Sequence, residues 1–447
     1  MRKIIKSKVL ELKDEMINSI SESVKIPSII SDSTELYPFG KDIDDCLRHI
    51  LNLCDSLGFK TKYCDGYYGY AEIGEGEELI GILGHLDVVP VGELSSWTFP
   101  PFEATVANGN IYGRGTQDDK GPTIAAIYAV KSLMDLGIKF NKRVRFIFGT
   151  DEETLWRGIN KYIENGEEIP SCGFTPDSEF PMINAEKGLL QSLLVLDKGS
   201  DVILKAGDAF NSVPDKAIYK GDYLDILAKE LDKLNFEYIL DNEEICVKGV
   251  SVHSQASDSG INAISRLCIA LNNIGVESES VKFIASVIGE DANANNIIPN
   301  CYDDVSGKLT FNIGKIDLTN EKQVISLDIR IPVTYDKDDI VSSLIKQAQK
   351  YGFKYEEFDW LAPIYVPSDN FLVKTLREVY ERETGLDSTP LSSGGATYAR
   401  ALENCVAFGM VFPTSEKTEH QPNEYISIDD LIKATQIYAL AIYELTK

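Results

Sequence analysis

At 447 residues, 43% hydrophobic and 26% charged, the chain is long enough for two or three domains with full cores. Its net charge of −26, from 70 acidic against 44 basic residues, repels nucleic acid and anionic lipid and sets both aside as partners. With no signal-like apolar region at the N-terminus, no run near the ~20 residues that span a bilayer and eight unclustered cysteines, a reduced, cytoplasmic protein is expected.

Helical periodicity covers Lys6–Ser23 and Lys41–Leu57. Strand-like runs follow at Glu78–Leu83 and Arg143–Phe148, separated by a helix over Pro122–Asp135 that Gly121 opens. This alternation predicts βαβ units and a mixed, largely parallel sheet with flanking helices, an α/β catalytic domain. From Leu189 to Pro363 the texture changes. Short strand candidates (Gln191–Leu196, Lys308–Ile313, Gln323–Arg330) alternate with helix candidates (Gly221–Leu234, Ala263–Ile274), which reads as an inserted α+β unit. A helix at Asn370–Thr384, a strand at Cys405–Phe412 and a final helix at Ile428–Thr446 resume the opening pattern. The expected division is 1–183 and 364–447 for the catalytic domain, with 184–363 a lid of two small α+β parts.

Only four histidines are present, so each can be weighed. His49 lies in a helical pattern and reads as structural. His85 ends the apolar run I-G-I-L-G-H with Asp87 two residues on, a carboxylate suited to fixing an imidazole tautomer. Asp118 and Asp119 stand at the mouth of a helix, where capping by Asp118 is the alternative reading. Asp151, Glu152 and Glu153 follow the strand R-V-R-F-I-F; three adjacent acids call for a cation or form a solvated turn. Asp177 and His420 also follow apolar segments. His85, the Glu152–Glu153 pair, Asp177 and His420 thus converge on one edge of a parallel sheet, a donor set suited to zinc and tolerable to cobalt or manganese.

These residues sit in long, ordered motifs: G-H-L-D-V-V-P, W-T-F-P-P-F-E-A, G-N-I-Y-G-R-G-T-Q-D-D-K-G, G-T-D-E-E-T, T-P-D-S-E-F-P, G-V-S-V-H-S, S-S-G-G-A-T-Y-A-R and E-H-Q-P-N-E. From Lys41 to the C-terminus the chain resembles the di-zinc exopeptidases related to aminoacylase, glutamate carboxypeptidase and succinyl-diaminopimelate desuccinylase. Within that group it looks most like the bacterial carnosinase-like (Xaa-His type) dipeptidases. The resemblance implies that Asp118 bridges two zinc ions, with His85 and Asp177 completing one set and Glu153 and His420 the other. It implies that Asp87 orients His85, that Glu152 is the general base, and that the Asp118–Asp119 peptide is cis. In the lid, His253 would stabilise the oxyanion, and Asn211, Arg330, Gly394 and Gly395 would contact substrate, with an ordinary glycine turn the alternative for the last two. Ser257 stands where relatives often have proline, which leaves the path of that loop open.

The expected activity is hydrolysis of a dipeptide or very short peptide by a monomer. The rivals are an N-acyl amino acid deacylase with the same metals, and a non-catalytic relative, which the completeness of the site argues against.

Overall fold

The computed structural model describes residues 1–241 and 243–447. The chain divides into two compact units. The first comprises residues 1–184, 365–391 and 396–447, the second 185–364 with the short returning segment Ser392–Gly395.

In the first unit the apolar run after Glu78 forms the strand Leu79–His85, buried along its whole length. Burial on both faces is the mark of a central parallel strand. It pairs in parallel with Arg143–Gly149 on one side and Cys172–Thr175 on the other, and Cys405–Ala407 continues the parallel set. Antiparallel Tyr68–Ile73 and Lys60–Cys64 extend it, giving the central order Lys60–Cys64, Tyr68–Ile73, Arg143–Gly149, Leu79–His85, Cys172–Thr175, Cys405–Ala407 in a nine-stranded sheet. The expected parallel α/β arrangement is therefore present, with an antiparallel edge that periodicity did not reveal.

Helix Lys120–Asp135 is buried nearly all round and packs with Ile428–Leu445 and the two N-terminal helices. A helix apolar on every side belongs in the interior. It starts two residues earlier than expected, and its N-cap is Asp119, so capping by Asp118 is not what the fold uses. The single N-terminal helix expected over Lys6–Ser23 is two, Arg2–Glu11 and Lys13–Val24, broken at Leu12. The strand expected to reach Phe412 stops at Ala407, and Gly409 turns the chain with φ +89°.

The second unit is built on a five-stranded antiparallel sheet in the order Leu204–Ala206, Thr310–Leu318, Gln323–Ile331, Gly188–Leu196, Lys354–Leu361. A three-stranded sheet (Lys216–Tyr219, Ile245–Lys248, Tyr238–Leu240) accompanies it. Helices Leu224–Leu234, Ala263–Asn273 and Lys337–Ala348 contribute to one shared apolar core, anchored by Leu231, Leu267 and Leu344.

Candidate metal centre

Three neighbouring parallel strands end on the same edge of the first unit's sheet, and each delivers a side chain there. His85 is the last residue of its strand, Glu152 and Glu153 follow Arg143–Gly149, and Asp177 follows Cys172–Thr175. Asp118 precedes the buried helix and is joined to Asp119 by a cis peptide, as the resemblance implied. His420 comes from the turn Thr418–Gln421 and has φ +63°.

Asp118 stands between the two imidazoles. Its Oδ1 lies 2.9 Å from His85 Nε2 and its Oδ2 lies 2.9 Å from His420 Nε2. Asp177 Oδ2 is 3.7 Å from His85 Nε2, and Glu153 Oε1 is 2.9 Å from His420 Nε2. Two groups result, His85–Asp118–Asp177 and Asp118–Glu153–His420, each with donor atoms within 4.8 Å of one another. Asp118 belongs to both.

The ring of His85 is oriented by what it touches. Its Nδ1 is 3.0 Å from the Asp87 carbonyl, which can only accept, so Nδ1 carries a hydrogen and Nε2 faces the acids. The Asp87 carboxylate is farther, 3.6 Å from Nδ1. Its oxygens accept the backbone N–H groups of Glu152 (3.1 Å) and Glu153 (3.0 Å). Asp87 thus steers the histidine with its main chain and the glutamate pair with its side chain. Asp151, the third adjacent acid, points away. It forms a bidentate pair with Arg157 and shapes the turn.

The electrostatics ask for cations. Burial first, then the neighbouring acids, push the carboxyls of Glu152, Glu153 and Asp177 above the usual range. Burial also opposes the charge on Asp118, but hydrogen bonds from His420 and His85 outweigh it and hold this carboxyl low. The acids in turn drive both imidazoles to bind protons, His420 up to about 11 through Asp118 and Glu153. Protons here supply positive charge that the donor set would otherwise take from metal ions. Two imidazole nitrogens and three carboxylates, one shared, fit a pair of divalent cations of the zinc type.

Other polar residues stand at this centre: the sequence marks Asp119 only as a helix-mouth acid on a cis peptide, and does not single out Tyr398, Gln117 or Glu424. Asp119 is fully buried; its Oδ2 accepts the His85 N–H (3.1 Å) and the Thr123 hydroxyl (2.8 Å). The Tyr398 ring stands edge-on to His85 at 6.1 Å between centroids, and its buried hydroxyl has no partner. Gln117 and Glu424 tie the Asp118 loop to the His420 segment. All lie inside the motifs quoted above, where a buried polar residue beside a ligand was the available signal.

The remaining expected residues lie in the second unit. Asn211 accepts the Ser254 N–H through its carbonyl at 2.9 Å. The Ser254 hydroxyl donates to Asp328 (2.8 Å) and accepts from Arg330 Nη2 (3.0 Å), while Arg330 Nη1 donates to the Gly394 carbonyl (2.9 Å). Arg330 is buried, and its Nε and Nη2 also grip Asp328. A Cβ on Gly394 would come within 2.6 Å of Gln255 Cβ, so glycine permits this approach to the turn after His253. Gly395 donates its N–H to Ser393 Oγ (2.9 Å). His253 is exposed; partial desolvation, then the Arg330 cation, lower its imidazole from the ordinary histidine range. Asn211, His253, Arg330 and Gly394 therefore converge around Ser254. Ser257 closes the same turn with a buried hydroxyl that lacks a partner.

Among known proteins, a profile of the family described as Peptidase family M20/M25/M40 matches residues 81–444. The Bacillus subtilis protein named "Putative dipeptidase YtjP" is 38% identical over 463 residues, covering 98% of this chain and 99% of that one. Human carnosine dipeptidase 1 has a similar fold, with a TM-score of 0.61 at 14% identity, covering 100% of this chain and 98% of that one. So does the B. subtilis YXEP protein, described as a dinuclear metal-binding peptidase, with a TM-score of 0.55 at 13% identity, covering 98% and 99%.

Proposed function

The chain belongs to the M20/M25/M40 peptidase family, and from that premise we propose that it is a metal-dependent dipeptidase in which Glu152 moves the proton. The observation that carries this reading is the shared position of Asp118 between two donor groups, with the half-buried Glu152 next to Glu153 in the chain and within the field of His85, Asp177 and Asp118. His85, Asp118 and Asp177 would hold one ion, and Asp118, Glu153 and His420 the other; zinc suits these donors, with manganese or cobalt tolerated. The chemistry such ions supply when bound is Lewis acidity, which polarises a carbonyl and makes water easier to deprotonate.

The rest falls to the chain's own residues. Glu152 accepts the proton of the attacking water and passes it to the leaving amine nitrogen, and a carboxyl raised by burial is suited to both steps. Asp87 holds the Glu152 and Glu153 backbone in place through the whole cycle. His253, exposed and with its imidazole shifted toward the neutral form, offers a ring N–H to the oxyanion. Asn211, Arg330, Gly394 and Gly395 bind the substrate ends. Because the Arg330 fork is committed to Asp328, it would meet a carboxylate through Nη1. No helix among the described residues is long and apolar enough to cross a membrane. The working form we propose is a cytoplasmic monomer.

The test is hydrolysis of a dipeptide panel beside N-acyl amino acids, after chelation and again after metal is restored. We expect dipeptides to be cleaved only in the restored protein, and a free terminus to be required. Cleavage confined to N-acyl amino acids would replace the dipeptidase with a deacylase. Full activity without metal would end the mechanism.

A further inference from the structure

Two segments far apart in the chain, Gly113–Asp118 and Glu416–Tyr425, exchange side chains across their contact. Glu424 is fully buried and reaches into the first segment. Its Oε1 accepts the N–H groups of Gly115 (3.0 Å), Gln117 (2.9 Å) and Asp118 (3.2 Å), and its Oε2 accepts Arg114 Nη1 at 2.6 Å. Gln117, 8% exposed, reaches the other way. Its Oε1 accepts the N–H groups of Thr418 (2.6 Å) and Glu419 (3.0 Å), and its Nε2 donates to the Glu416 carbonyl at 3.0 Å. The backbones also pair: Tyr425 lies opposite Tyr112, and Gly113 donates to the Glu424 carbonyl at 2.9 Å.

The residue after Gln117 is Asp118, and the residue after Glu419 is His420. The Glu424 arm of this clasp therefore ends on Asp118 itself and the Gln117 arm one residue short of His420, and the two donors meet at 2.9 Å. Stability alone is a poor explanation, because a buried ion pair rarely gains much over apolar packing. What a set of directed bonds to backbone N–H groups does supply is position. The other group depends less on this contact, since His85 and Asp177 are placed by parallel strand ends.

We infer that Gln117 and Glu424 are positioning residues that set the separation of Asp118 from His420, and with it the affinity of the Asp118–Glu153–His420 group for its ion. The inference rests on the two-ion reading above. Neither side chain supplies a donor atom to either group.

The experiment titrates metal-depleted protein with Mn²⁺ by calorimetry, for wild type, Gln117→Ala and Glu424→Gln, with the melting temperature of each metal-free protein beside it. Gln117→Ala removes no charge and leaves the Thr418 and Glu419 N–H groups without their acceptor. Glu424→Gln turns an amide NH₂ against donors. Losing such a supporting partner costs metal affinity by about 10–100-fold. We expect one ion to weaken at least about tenfold in both variants, while the other stays within about threefold. Wild-type affinity at both positions with only a lower melting temperature would make the clasp merely structural and overturn the inference. Equal weakening of both ions would also overturn it. Fewer than two ions on the wild-type protein would bring down the two-ion reading itself, and the clasp's role with it.

Discussion

At the residue scale, the grouping of two histidines with three acids was legible because metal chemistry admits few residue types and parallel strands end at one edge. His85, Glu153 and Asp177 each end or follow an apolar strand-like run, a placement the sequence itself displays. The roles of Gln117 and Glu424 are not displayed. Their partners are backbone groups in a segment roughly three hundred positions away, and no local pattern records such bonds. Asp87 was half legible, since H-x-D suggested a carboxylate on the imidazole, whereas that carboxylate serves the glutamate backbone. The residue we propose as the base is the one with no donor role. Glu152 belongs to neither donor group, yet burial and the surrounding acids raise its proton affinity. Glu152→Gln should therefore keep both ions and lower kcat by about 10²–10³, as for the loss of a general acid–base group. Metal analysis and steady-state kinetics on the same preparation check it. Activity near wild type would move the base elsewhere.

At the element scale, apolar periodicity reported burial more faithfully than it reported boundaries. Ile5, Val9, Leu12, Met16, Ile20 and Val24 form one buried stripe that passes through the break at Leu12 without a change of spacing. A pattern that survives the break cannot announce it. In Cys405–Phe412 the run is buried throughout, but past Ala407 it packs as a loop, with Phe408 and Phe412 against Phe180 at 5.1 and 4.7 Å. Helix Lys41–Ser56 emerged nearly as expected, and His49 on it is structural. Its Nε2 is buried without a partner, and burial first, then the Lys120 cation, hold its pKa below 6.5, only partly offset by Glu22. A depressed histidine pKa means the unfolded chain binds the proton more readily. The associated stability is full above pH 6.5 and is lost as pH falls through 6.5 toward the folded value. His49→Leu should lose less stability than wild type between about pH 7.5 and 5.5 in urea titrations of metal-depleted protein, a window set by the ordinary histidine range. Parallel curves for the two proteins would show that His49 contributes nothing to the pH response.

At the scale of the whole molecule, the net charge and the candidate centre are two versions of one problem, and ions should act on them differently. The −26 is spread along the chain, so its repulsion acts mostly through solvent. Added salt screens such charges over a Debye length of about 10 Å at 0.1 M. The acids of the centre are different. Asp118, Glu153 and Asp177 are packed together, partly buried, and drive imidazoles to protonate, and salt screens partly buried groups much less than exposed ones. Sodium chloride should therefore raise the melting temperature of chelated and metal-loaded protein by similar amounts. A divalent ion that binds only the folded state should add a further, saturable rise, following RT ln(1 + [L]/Kd), about 2.7 kcal/mol at a hundredfold excess over Kd. The two effects separate in one experiment. Chelated protein is melted in low and in about 0.2 M sodium chloride, where the Debye length is under about 10 Å, and then with micromolar Zn²⁺ or Mn²⁺ added to each. We expect the metal-induced rise to survive the salt and to disappear in a Glu153→Ala, His420→Ala double variant for the ion those residues would hold. A rise that vanished in salt would mean that divalent ions merely screen an acidic surface, and the donor groups around Asp118 would lose their claim to be a metal centre.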